Sequence, residues 1–220
     1  MIKTLLIILL IFQINLAFAQ LDAKQGDALV PIDKQTVIEI LDPPGTAALN
    51  IMVSALSSFK VLKKSGEDSL ENTTSLVKIK ILPFIDIETS TQITLKNHWG
   101  KLNLQQKQLF INYISQSLIK DYVGMLHSYE ALDLVQISLN RKVKRKGNKA
   151  IITLEVKPNP EAKAVPVTFK LIRNDQWKIY DVVFAGISVI KNYRAQFDSH
   201  IKRKGLDSLI KKTFKKLNKK

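Results

Sequence analysis

Three histidines, His98, His127 and His200, and the absence of cysteine bound what chemistry this 220-residue chain can do. The histidines stand far apart, without the short spacings that gather ligands around a metal ion. There is no thiol nucleophile, no Gly-x-Ser-x-Gly elbow and no glycine-rich phosphate loop. No two carboxylates share an apolar context that would raise a pKa toward neutrality. One polar pair remains. Asp181 and Arg194 are spaced to meet across a strand-to-helix turn, where they would hold the turn together; catalysis would need a base and a pocket that the sequence does not supply. These residues argue against an enzyme, and they imply neither cofactor nor metal.

The elements that must position this pair surround it. Asn174-Asp175 signals a turn, and Trp177–Phe184 reads as a strand of β-branched and aromatic residues. Gly186 frees the backbone and Ser188 can cap a helix. Val189, Tyr193, Phe197 and Ile201 then recur at helical spacing. Three strands precede: Asp133–Asn140, Ala150–Val156 and Val165–Leu171, with a basic hairpin tip from Arg141 to Lys149 turning at Gly147-Asn148. Short polar connections imply antiparallel neighbours. In the fourth strand, Ile179 and Val183 are nearly as apolar as Tyr180, Val182 and Phe184; the latter set is taken as inward because it ends in the larger Phe184.

Helices are expected from Thr46 to about Val61, with Leu49, Met52, Val53, Leu56 and Phe59 on one face, and from Asp86 to Leu95. A long one over 103–129 carries Phe110, Ile114, Leu118, Tyr122, Met125 and Tyr129 as an apolar stripe. An amphipathic helix with a lysine-rich face closes the chain after Gly205. Residues 20–44 read as a tether ending in a short piece, Val37–Leu41, stopped by Pro43-Pro44. Asn72-Thr73-Thr74 is a glycosylation sequon, taken as incidental. The fold class is α+β: a curved antiparallel sheet of about four strands cupping several helices.

Residues 1–19 set the expected compartment. Lys3 precedes an apolar run, and Ala17-Phe18-Ala19 forms a small-x-small site, so a signal peptide cleaved after Ala19 is expected, with one domain over 20–220. Thirty-four basic against nineteen acidic residues give a formal charge of +15, which favours anionic partners. Export argues against nucleic acid as one of them.

Trp177, Lys178, Asp181, Gly186, Ser188, Asn192, Tyr193, Arg194 and Phe197 reproduce a pattern that resembles the MlaC family of periplasmic phospholipid-binding proteins, also called toluene-tolerance or auxiliary transport proteins. Pro83, Asp86, Trp99, Gln106, Phe110 and Tyr122 match a second block, and the resemblance covers residues 82–210. Lys96 departs from it, since a glycine is usual after Leu95; so does Gly100, where arginine often follows the Trp.

The resemblance implies an NTF2-like cone with an apolar lipid cavity between sheet and helices. It implies a monomeric periplasmic carrier with glycerophospholipid as cargo, an auxiliary component of an ABC transporter. Such a carrier moves lipid between an outer-membrane lipoprotein–porin complex and an inner-membrane MCE-domain/ABC transporter complex, maintaining outer-membrane lipid asymmetry. The expected cavity wall is Ile152, Leu154, Val167, Phe169, Leu171, Val182 and Phe184 of the sheet, facing Phe110, Ile114, Leu118 and Tyr122 of the long helix. Patterning alone does not separate a cavity from a filled core. A basic exported adaptor with a filled core and no lipid therefore stands as the alternative, and a catalytic cone of the steroid-isomerase type as a third reading.

Overall fold

The computed structural model of the protein describes residues 43–128, 131–140 and 143–218. The leader read at 1–19 and the piece at Val37–Leu41 lie outside them. The first element is α1 (Pro43–Lys64). Pro43-Pro44 occupies the first turn of this helix, where a proline's missing N–H has no intrahelical acceptor to lose. By length and composition α1 is apolar enough to cross a bilayer. One face of it packs in the interior: Ala48 and Ile51 with sheet residues, Ala55 and Phe59 with helical ones.

The sequon falls inside a helix not anticipated from the sequence, α2 (Leu70–Lys80), whose N-cap Ser69 accepts from the Asn72 amide. Asn72 Nδ2 donates to the Glu67 carbonyl at 2.8 Å. Only Thr73 and Val77 of this helix are buried, too few apolar positions to raise a periodic signal. The next helix, α3 (Ile87–Leu95), begins as expected at Asp86, which caps the Thr89 amide at 2.8 Å. It ends at Lys96, held at φ 47° and ψ −116°. That conformation suits glycine, the residue usual at this point in the family resemblance.

The long helix α4 spans Leu104–Ser128. A reciprocal capping box opens it: the Gln106 amide donates to Asn103 Oδ1 at 2.9 Å, and the Asn103 amide donates to Gln106 Oε1 at 3.0 Å. This gives Gln106 a structural reason for its place in the motif.

The sheet has six strands where about four were expected: β1 (Gln136–Leu139), β2 (Lys144–Lys146), β3 (Lys149–Lys157), β4 (Val165–Arg173), β5 (Trp177–Phe184) and β6 (Ile187–Ser188). All neighbours are antiparallel in the order β1-β3-β4-β5-β6, and β2 follows β1 along the free edge of β3. The two extra strands are short: β2 is half of the basic hairpin tip, and β6 is the turn before the next helix. The first strand is shorter than expected because Leu132–Leu134 forms a 3-10 turn that sinks Leu132 among helices.

The chain closes with α5 (Val189–Lys204) and α6 (Leu206–Leu217), separated at Gly205, whose φ of 81° ends the first helix. Three apolar clusters result. One joins the sheet to the first half of α1; a second joins α3, α4, α5 and α6; a third joins the second half of α1 to α2 and α4.

Candidate functional site

Cross-strand register lays the apolar face of the sheet out in rows. Leu139, Leu154, Val167 and Phe184 form one row; Ile152, Phe169 and Val182 form the next; Ala150, Leu171 and Ile179 form a third. The third row is possible because β5 is bulged. Lys170 pairs with Asp181 while Leu171 pairs with Ile179, so Tyr180 is an extra residue opposite no partner. A bulge resets which parity faces inward. Trp177 and Ile179 therefore join Val182 and Phe184 on the same face, and Tyr180, expected on it, does not. The bulge also serves as a dock: the carbonyls of Ile179 and Tyr180 accept from the Asp86 amide and the Ser90 hydroxyl, each at 2.8 Å.

α1 covers this face with Ala48 and Ile51, flanked by the half-buried Leu49 and Met52, and Phe84 and Ile85 pack alongside. Burial is graded across it. Ile152, Leu154 and Leu171 are wholly buried and Phe169 nearly so, while Val167 retains 9% of its exposure. Ile137, Leu139, Val156, Val182 and Phe184 are only half-buried. The face is thus packed at the Ala150–Leu171 end and half open at the Val156–Phe184 end. Trp177 sits toward the packed end, with the Arg145 guanidinium 5.4 Å from its ring. Its indole Nε1 is buried with no hydrogen-bond partner among the described residues, a donor that a water or a ligand oxygen would satisfy.

Phe110, Ile114 and Leu118 do not meet the sheet residues. They pack with Leu95, Tyr193, Phe197 and Leu209 in the second cluster, and Phe110 and Phe197 stand 5.6 Å apart, centroid to centroid. Helical periodicity marks the face of α4 that is buried, without saying what buries it. The side chain of Tyr122 lies outside the described residues. The residues of α1 that do line the sheet carry the same periodic signal, and sequence reasoning left them out of the wall.

Within the helical layer a cavity of about 30 Å³ is lined by Tyr113, Phe197, His200, Leu209 and Lys212, among others. It has room for a water molecule and none for an acyl chain. Burial and the nearby charges of Lys212, Lys204 and Arg203 hold the His200 imidazole below its ordinary pKa; its Nε2 lies 3.2 Å from the Ser208 hydroxyl.

The polar pair read from the sequence is rearranged. Asp181, buried, receives Lys170 Nζ at 2.8 Å, the Ser188 hydroxyl at 2.7 Å and the Ile190 amide at 3.2 Å. Ser188 in turn caps the Lys191 amide at 3.0 Å. The carboxylate therefore does tie strand to helix, as expected, but its cation is Lys170. Arg194 instead donates through Nε and Nη2 to the Ile93 carbonyl, fastening α5 to α3. Spacing points to an arginine on the next helix as the cation for Asp181; strand register selects the lysine on the neighbouring strand. Among the described residues, the partners of Asp181 and Arg194 all belong to the framework.

The fold recurs in known proteins. The family model described as MlaC protein matches residues 52–214, most of the chain. The chain belongs to the MlaC family. The intermembrane phospholipid transport system binding protein MlaC of Haemophilus influenzae is 21% identical over 143 residues, covering 63% of this chain. The match spans 65% of that relative's length, just under two thirds. A solved structure of the phospholipid-binding protein from Ralstonia solanacearum, in complex with a phospholipid, superposes with a TM-score of 0.67 at 20% identity. It covers 81% of this chain and 100% of its own. At that identity the likeness is one of fold, and it agrees with the α+β architecture expected for an MlaC member.

Proposed function

We propose that the protein is a periplasmic carrier of glycerophospholipid, binding acyl chains against the apolar face of its sheet. The observation that carries the reading is that face itself, packed at one end and half open at the Val156–Phe184 end. The proposed wall consists of Ile152, Leu154, Val167, Phe169, Leu171, Val182 and Phe184, with α1 as the opposing side. Family membership supports it, as does the likeness to the Haemophilus transport-system protein and the Ralstonia phospholipid-binding protein.

The energetics make such a carrier intelligible. Two acyl chains of about 15 carbons, at ~0.8 kcal/mol per methylene, put roughly 24 kcal/mol between a lipid and water. An apolar protein wall offsets most of that cost, so exchange with a bilayer is nearly neutral. The headgroup stays in water, which gives weak headgroup selectivity. The carrier is proposed to act as a monomer between an outer-membrane lipoprotein–porin complex and an inner-membrane ABC transporter with an MCE-domain ring, sustaining outer-membrane lipid asymmetry. It requires no cofactor and no nucleic acid. Solvent extraction of the purified, exported chain followed by mass spectrometry tests this. Co-purifying glycerophospholipid is expected. Its clean absence, with no uptake of added phospholipid, would overturn the proposal in favour of an adaptor with a filled core.

A further inference from the structure

The last helix has an apolar stripe wider than the described residues cover. Leu209 and Thr213 of α6 are buried against the helical layer. Ile210 and Leu217 are only half-buried, and Phe214 is 60% exposed. At 3.6 residues per turn these last three fall within about 60° of arc, beside the buried stripe and not opposite it. Lys211 and Lys215, both exposed, border them on the solvent side. Asp207 is the one acidic residue of α6. Just before Gly205, the last turn of α5 adds the exposed Lys202, Arg203 and Lys204.

We propose that α6 is a membrane-docking element that lies along an anionic phospholipid surface, with Phe214 entering the boundary between headgroups and acyl chains and Lys211 and Lys215 resting on phosphates. Two features favour a bilayer over a protein. The apolar residues form a convex ridge along a helix, which a deformable interface accepts and a protein would have to match with a groove. The flanking charge is predominantly positive, Lys211 and Lys215 outweighing the single Asp207 beside the ridge, and its net sign complements an anionic leaflet. The inference does not rest on the cargo reading: the ridge belongs to α6, away from the apolar face of the sheet.

The test is flotation of the full exported chain with vesicles of phosphatidylethanolamine and phosphatidylglycerol, compared with vesicles of phosphatidylcholine alone. Binding to the anionic vesicles that weakens with salt is expected. Phe214→Ser should reduce it about ten-fold, since an inserted aromatic ring is lost from an otherwise exposed position. Lys211→Gln with Lys215→Gln should reduce it about 25-fold, at about five-fold per lysine. A charge-matched control, Lys144→Gln with Lys146→Gln in the hairpin tip, should change it by less than about two-fold. Phospholipid content measured on each variant reports cargo binding separately, so either proposal can fail alone. Equal binding to both vesicle types, unchanged binding by Phe214→Ser, or an equal loss in the hairpin control would each overturn the docking role. No vesicle binding at all would overturn it too, and would leave the ridge to a protein partner.

Discussion

Placing a tryptophan at two neighbouring inward positions of β3 separates a lipid-filled space from a packed core. Leu154 and Val156 are two residues apart and share a face. Leu154 has no exposed surface and lies between Leu139 and Val167. Val156 is half-buried between Ile137 and Val165. Leu154→Trp forces a larger ring into a closed site, an overpacking that costs about 1–3 kcal/mol. At about 2–4 °C per kcal/mol for a domain of this size, Tm falls by about 2–12 °C. Val156→Trp adds roughly 100 Å² of side chain at the open end. Burying half of it contributes about 1.2 kcal/mol at 25 cal/mol per Å², largely offset by about 0.5–1 kcal/mol of lost rotamer freedom. Its Tm should stay within about 2 °C of the parent. The same ring occupies volume that acyl chains would need, so bound phospholipid should fall sharply in Val156→Trp. Paired thermal melts and lipid mass spectrometry decide the matter. Undiminished lipid in Val156→Trp, or a loss of Tm matching that of Leu154→Trp, would refute the reasoning.

Two further outcomes concern the framework. Asp181→Ala strands Lys170, whose side chain is 24% exposed, and removes the acceptor for Ser188 and Ile190. The cost should be about 3 kcal/mol, at the low end for a broken buried pair because Lys170 reaches solvent; adding Lys170→Met should recover part of it. A circular-dichroism melt showing less than about 2 °C of loss for the single variant would contradict the role assigned to Asp181. Lys96→Gly should stabilise by about 0.5–1 kcal/mol, by relieving the glycine-like backbone at φ 47°. Chemical denaturation checks this, and a destabilised variant would show that the conformation carries no such strain.

Much of the framework was legible in the sequence because local signals suffice for it. β5 has the bounds read from its β-branched and aromatic run, Asp86 and Ser188 cap the helices expected of them, and Gly205 separates the last two helices. Capping, turns and period-two or period-3.6 burial act over a few residues, so neighbouring residue types encode them. What the sequence left open depends on residues far apart in the chain. Alternation could not choose between Ile179 and Val182 because the bulge at Tyr180 places both inward, and that bulge is coupled to the docking of Asp86 and Ser90. Spacing pointed to Arg194 as the cation for Asp181; the pairing of β4 with β5 put Lys170 there instead. Periodicity marked both α1 and α4 as helices with a buried face, but only tertiary packing sent α1 onto the sheet and Phe110 and Ile114 of α4 into a separate helical cluster. A hydrophobic stripe states that a face avoids water; which partner covers it is decided by how all the elements fill the interior together.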